Sequence, residues 1–184
     1  ASCCKDVVSN SKLISSIAIT NDTQDKCWII DASPDIKYQL NIIRKYISKE
    51  QFPVISGIFL THAHIGHYIG LLDLGLEVMN LKNIPVYAMP GMASFLSNNA
   101  PFNQLIHNQN IILHTINKNS SIPIDSNCSI KPFNVPHRNE LSETVGYKIT
   151  TQSFSTIYLP DIDSWEDWEI DVNDIIYKNN LILL

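Results

Sequence analysis

Three histidines within six residues, in Thr61-His62-Ala63-His64-Ile65-Gly66-His67, constrain this chain more than any other feature. They follow directly on Ile55-Ser-Gly-Ile-Phe-Leu60, an apolar run of strand length that comes shortly after Pro53. Side chains at i and i+2 of an extended segment point to the same side. A third, on the first turn of a following helix, folds back toward them. Neutral imidazoles converging from a strand end and a helix start suit Zn²⁺, Fe²⁺ or Mn²⁺. Such a loop needs a rigid sheet to carry it, and open sheets gather ligands at the carboxyl ends of their strands.

The rest of the pattern supplies that sheet. Strands are predicted over 13–20, 27–30, 55–60, 84–88, 111–116, 129–135, 144–150, 154–159 and 181–184, with a polar turn over 21–26. Ser33 and Pro34 look like an N-cap and first helical position, and helical spacing follows through Ile36, Leu40, Ile43 and Ile47. Leu71, Leu74, Val78 and Leu81 carry a second helical stripe. Pro90-Gly91 opens a third helix through Leu96, and 165–177 reads as an acidic helix with Trp165, Trp168, Val172 and Ile175 near one face. His107 falls in an amphipathic helix and His114 in a strand; both are read as packing or surface residues. Strands in runs with helices between them predict one α/β or α+β layered domain over 1–184.

Two further groups lie just past strand ends. His137 sits in Val135-Pro-His-Arg138, and Asp161 in Tyr158-Leu-Pro-Asp-Ile-Asp163. Each alone is an ordinary loop residue; beside a histidine cluster they complete a metal site. The net charge of −5, from 13 basic and 18 acidic residues, gives no basic footprint for nucleic acid. No apolar run reaches the roughly 18–20 residues that span a bilayer, and Ala1-Ser-Cys-Cys-Lys5 lacks the layout of a signal peptide. Four cysteines are too few for a disulfide scaffold, so a cytoplasmic, reduced setting is expected, with Cys27 and Cys128 as small buried hydrophobes. Cys3 and Cys4 offer half of a structural zinc site whose other ligands would lie upstream.

The order His62-x-His64-x-x-His67, then His137, then Asp161 resembles the metallo-β-lactamase superfamily. Asp31, in Trp28-Ile-Ile-Asp-Ala-Ser-Pro34, matches that family's early strand-end Asp, which supports the histidine loop. The segments Phe59-Leu-Thr-His-Ala-His-Ile-Gly-His-Tyr-Ile-Gly70, Val86-Tyr-Ala-Met-Pro90, Val135-Pro-His-Arg-Asn-Glu140 and Ser142-Glu-Thr-Val-Gly-Tyr147 are similar to its coenzyme PQQ synthesis protein B-like branch. The resemblance runs from about Trp28 to the end. It implies an αββα sandwich, incomplete at both ends, in a parent that continues past Leu184 and supplies a further metal-site His. It also implies a first metal site at His62, His64 and His137 and a second at His67 and Asp161, with Asp161 bridging. One position departs from the family: Gly66 stands where the usual loop has an Asp. The expectation is one well-held divalent ion, zinc first with iron and manganese as alternatives, and a weakened second position.

The implied function is a metallohydrolase acting on an ester, thioester, lactone or phosphodiester through a metal-activated water, with Asp161 and His67 as its catalytic residues. Losing the carboxylate at position 66 counts against phosphodiesters, and the acidic charge against a tRNA-processing nuclease. An iron-dependent oxygenase or hydroxylase of quinone cofactor synthesis is the alternative enzyme, and a metal-binding domain without catalysis the alternative to an enzyme. The expected partner is a small-molecule substrate, with no nucleic acid and no membrane, and a homodimer is open through Trp165 and Trp168. Glu140 and Glu143 are read as solvated loop acids, and Met89-Pro-Gly-Met92 as a turn at the site's mouth.

Overall fold

Apolar residues that alternate along a strand buried on both sides must face two different cores. In the computed structural model, which describes residues 12–48 and 54–184, β2 (Cys27–Ile30) is such a strand, with all four residues buried. It pairs antiparallel with β1 (Ile17–Thr20) and parallel with β3 (Gly57–Phe59). Then β4 (Ile84–Ala88) and β5 (Ile111–Thr115) extend the sheet in parallel, in the order β1-β2-β3-β4-β5. The crossovers carry helices α1 (Ile36–Ile43), α2 (Ile65–Tyr68), α3 (Pro90–Asn98) and α4 (Phe102–His107).

The second sheet is an antiparallel meander of β6 (Ile122–Asp125), β7 (Cys128–Asn134), β8 (Val145–Thr151) and β9 (Ser155–Tyr158). β10 (Leu181–Leu183) joins it parallel to β9 after helix α5 (Val172–Tyr177). Three apolar clusters separate the layers. Cys27, Ile29 and Ile58 pack with Leu71, Leu74, Met92 and Leu96 under the helices. Trp28, Ile30 and Phe59 meet Ile130, Val145, Tyr147 and Tyr158 between the sheets. Val135, Ile157 and Leu159 lie with Trp168 and Ile175 on the far face. The layers therefore run helix, sheet, sheet, helix, as the αββα reading expects. Each fully buried Leu or Ile contributes about 1.5–3 kcal/mol.

Two predicted helices are corrected. Over 71–81 there is only a short 3₁₀ segment, Ile69–Leu74, which ends where Gly75 turns extended. The Gly75 carbonyl then accepts from Val78 and Asn80, and Asn80 takes a left-handed φ of 47°. Leu71 and Leu74 are buried while Leu76 and Val78 are exposed; the apolar spacing continued, but the core did not. Over 165–177 the helix is confined to Val172–Tyr177. Asp171 starts it by accepting from the Asn173 N–H. Upstream, Trp168 is buried and donates its indole N–H to the Asn134 carbonyl at 2.8 Å, which holds the preceding segment in turns. Ser33 accepts from the Asp35 N–H, so it caps a turn, and Asp35 rather than Ser33 is the residue that precedes α1. The short strand β6, with Pro123 in it, had no counterpart in the sequence reading. Met89 and Met92 sit in the cores rather than at the site's mouth. Cys3 and Cys4 lie outside the described residues. Among the described residues, no helix is long and apolar enough to cross a membrane.

Both sheets end at the histidine loop. The Tyr147 hydroxyl of β8 donates to the Leu60 carbonyl at 2.7 Å, and the Val145 N–H to Thr61 O at 3.1 Å. Leu60 in turn donates to Tyr87 O of β4. The backbone that launches His62 is thus held from both layers.

Candidate metal centre

The site starts from a strained residue. Asp31, at the end of β2, is fully buried and holds a left-handed φ of 67°, costly for a residue with a Cβ. That turn aims its carboxylate across the sheet end. It accepts from the Thr61 N–H and hydroxyl, each at 2.9 Å, and from His67 Nδ1 at 2.8 Å. Burial pushes the Asp31 carboxyl above its ordinary value, against the pull of His67 and Thr61. Burial also disfavours charge on His67, but the bond and charge of Asp31, with Asp161, outweigh it and raise His67.

Hydroxyl arithmetic then fixes a tautomer. Thr61 has one proton, and it goes to Asp31. Toward His62 Nδ1, 3.0 Å away, Thr61 must accept, so the His62 proton is on Nδ1 and the Nε2 lone pair is bare. His67 donates from Nδ1 to Asp31, and its Nε2 faces Asp161 Oδ2 at 2.8 Å, where without a metal it donates as well, in line with its raised pKa. His64 Nε2 faces Glu140 Oε2 at 3.2 Å, and His137 Nδ1 lies 2.9 Å from Asp163 Oδ1. His62, His64 and His67 are hydrogen-bonded on the outer nitrogen, an arrangement typical of metal-ligating histidines, whereas His137 Nδ1 lies close to Asp163 without a hydrogen bond.

The inner nitrogens converge. His137 Nε2 and His64 Nδ1 are 3.0 Å apart, and the His62 ring centroid is 4.5 Å from that of His64 and 5.2 Å from that of His137. Asp161 Oδ2 lies 2.8 Å from His67 Nε2 and 3.4 Å from His62 Nε2. Two triplets result, His62/His64/His137 and His62/His67/Asp161, each with its donor atoms within 4.8 Å of one another. His62 Nε2 is buried without a hydrogen-bond partner. An orphaned buried lone pair is costly, and a cation among these nitrogens would satisfy it. Burial first, then the charges of His67, His64, His137 and Arg138, push His62 down to about 2, so it stays neutral and ligand-ready. The donor set fits a divalent metal.

All five residues singled out in the sequence, His62, His64, His67, His137 and Asp161, meet here, with Asp31 behind them. His62 belongs to both triplets, not to the first alone as the family resemblance implies. Gly66 leaves room: a Cβ there would meet only Ile14 Cγ2, at 3.7 Å. Glu140 and Glu143 are not free loop acids. Glu140 is held below its ordinary value by its own backbone N–H and by His64, and Glu143 accepts from the Gly91 N–H. Thr61, Asp163 and Ser142 escaped the sequence reading. Thr61 had one signal, its place directly before His62; Asp163 had its spacing of two from Asp161. His107 and His114 are exposed and belong to neither triplet.

A family model described as the beta-lactamase superfamily domain matches residues 28–179. Ribonuclease Z of Nostoc punctiforme is 27% identical over 114 residues, 60% of this chain and 34% of that protein. Ribonuclease Z of Rippkaea orientalis is 29% identical over 103 residues, 54% of this chain and 31% of that one. The chain thus spans about a third of the length of these curated relatives. The solved structure of Zn²⁺-bound PqqB from Methylobacterium extorquens has a TM-score of 0.68 at 23% identity, covering 89% of this chain and 60% of that one. Human tRNase Z, short form, has 0.60 at 16%, covering 94% and 71%. With the fold, the histidine order and the family match in agreement, the chain belongs to the metallo-β-lactamase superfamily.

Proposed function

We propose that this chain is a metallohydrolase of a small-molecule ester, thioester or lactone, working through one divalent ion held by His62, His64 and His137. The observation that carries the reading is the orphaned His62 Nε2 facing two more imidazole nitrogens. An ion bound by three neutral imidazoles brings the pKa of water toward neutrality, to about 7 in the best His₃ zinc sites, and polarises a carbonyl. Zinc is the ion proposed, with iron and manganese as alternatives.

The chain's own groups supply the rest. Asp161 is partly exposed and its Oδ2 faces both His62 and His67, so it is placed to accept a proton from an attacking water. His67, anchored by Asp31, fixes that carboxylate oxygen at 2.8 Å. The net charge of −5 and the absent carboxylate at position 66 favour a small substrate over RNA. A cytoplasmic setting is part of the same proposal.

The test is turnover by the metal-loaded protein on a panel of a thioester, a lactone, an aryl ester, a phosphodiester and a precursor tRNA, with O₂ uptake followed in parallel. Ester-type hydrolysis that is lost in Asp161→Asn supports the reading. Cleavage of the tRNA alone, O₂ consumption by an iron form, or a loaded site that turns over nothing would each overturn it.

A further inference from the structure

The loop that carries His137, between β7 and β8, is fastened at its far end by two adjacent residues that the chemistry above does not use. Glu143 reaches across to the start of α3, where its Oε2 and Oε1 accept from the Gly91 N–H at 2.8 and 3.1 Å. That helix has no acidic residue in its first turn and no side-chain cap from its own N-cap, Met89. A carboxylate 52 residues away in sequence serves instead, where the helix start favours negative charge. Gly91 has to be glycine for this: a Cβ there would stand 2.5 Å from Glu143 Oε2 and 3.2 Å from Ser142 Cα. Ser142, itself buried, accepts from the Ala63 N–H at 2.9 Å and donates to the Glu143 carbonyl at 3.0 Å. Ala63 lies between His62 and His64.

Resting on the metallohydrolase reading, we infer that Ser142 and Glu143 form a clamp that sets the metal affinity of the His62/His64/His137 triplet. Ser142 ties the loop to the backbone between two of the three ligands, and Glu143 ties it to the helix layer. His137 comes from the other sheet, so its distance from His62 and His64 depends on how that loop is held. The Asn139 side chain accepts from the Thr144 N–H, and Val135 donates to the Thr144 carbonyl, so the clamp and His137 move as one hairpin-like unit. Both residues are positioning residues, acting through His137 and Ala63.

Zinc dissociation constants by chelator competition test this, with the Co²⁺ absorption band as a report on ligand geometry and the thermal midpoint of metal-free protein as the structural control. Glu143→Ala should weaken zinc about 10-fold or more, in the range for lost outer partners of metal ligands, and shift the Co²⁺ band. Glu143→Gln keeps an acceptor for the Gly91 N–H and should restore most of the affinity. Gly91→Ala, which displaces the carboxylate without altering it, should reproduce the loss. Wild-type zinc affinity and an unshifted Co²⁺ band in Glu143→Ala and Gly91→Ala would overturn the clamp, even if the metal-free midpoint falls. A wild-type protein that holds no zinc would overturn the metallohydrolase reading as well, so the two failures are distinguishable.

Discussion

The two triplets of the histidine cluster share His62 and are built differently around it. His62/His64/His137 draws on both sheets, offers three imidazoles, and has an exposed carboxylate behind each of its two outer members, Glu140 and Asp163. His62/His67/Asp161 is more deeply set, with His67 buried and tied to the fully buried Asp31, and only one carboxylate facing inward. The first triplet is complete in donors. The second has an open position beside it at Gly66, where a side chain would fit. In a site of this kind donor number decides occupancy, and the surrounding packing decides how rigidly the donors are held. The half built on His67 is anchored by the buried Asp31, yet once His62 serves the first triplet it keeps only two donors, His67 and Asp161.

The largest effect that would sharpen this contrast is expected from Asp31→Asn. The amide cannot accept from His67 and from both Thr61 donors at once, and it puts an N–H among donors. Removing one partner of a buried pair typically costs about 3–5 kcal/mol, so urea unfolding should shift by that order. Zinc held by His64 and His137 should then be weakened less than the order of the His67 side chain, followed by its ring NMR signals. Equal loss at both would erase the distinction drawn between the halves.

Next is Gly66→Asp. It places a carboxylate where the second triplet lacks one, with only Ile14 nearby to accommodate. Zinc content should rise from about one ion to about two per chain, the usual count for a two-metal site. A variant that folds normally and still binds one ion would show that donor number is not what limits the second position.

The smallest effect is a pH dependence of the metal-free protein. Unfolded His62 takes up its proton near the ordinary 6.5, whereas in the fold it does so only near about 2. Its contribution is therefore fully present above pH 6.5 and is lost as the pH falls below that, toward about 2. One such proton amounts to at most about 1.4 kcal/mol per pH unit. His67, raised rather than lowered, acts in the opposite sense and only above 6.5. Asp31, also raised, opposes His62 at acid pH, so the comparison is with His62→Gln: an unchanged pH dependence between 6.5 and 5 in that variant would contradict the buried, neutral His62.

Much of this was legible along the chain, because it is written locally. The Cys27–Ile30 and Gly57–Phe59 strands announce themselves by apolar runs, and the histidine loop by its spacing. What was lost depends on contacts between distant segments. The stripe Leu71, Leu74, Val78, Leu81 has helical spacing, but the backbone turns at Gly75 because the core ends there. Trp165 and Trp168 share a helical face on paper, while the bond from Trp168 to Asn134 places that stretch in turns. Glu143 looks like a solvated acid until α3, half a hundred residues earlier, is brought against it. Asp163 acquires a role only because its N–H donates to Pro136 O, which sets it beside His137.

The central claim, one ion held by the triplet that joins both sheets, is tested most directly by metal content. Zinc per chain should be measured in the purified protein, in His62→Ala and in His137→Ala, after equilibration with a weak chelator. The account predicts about one ion in the parent protein and none in either variant. Unchanged zinc in either variant, or a parent protein that binds two ions equally tightly, would contradict it.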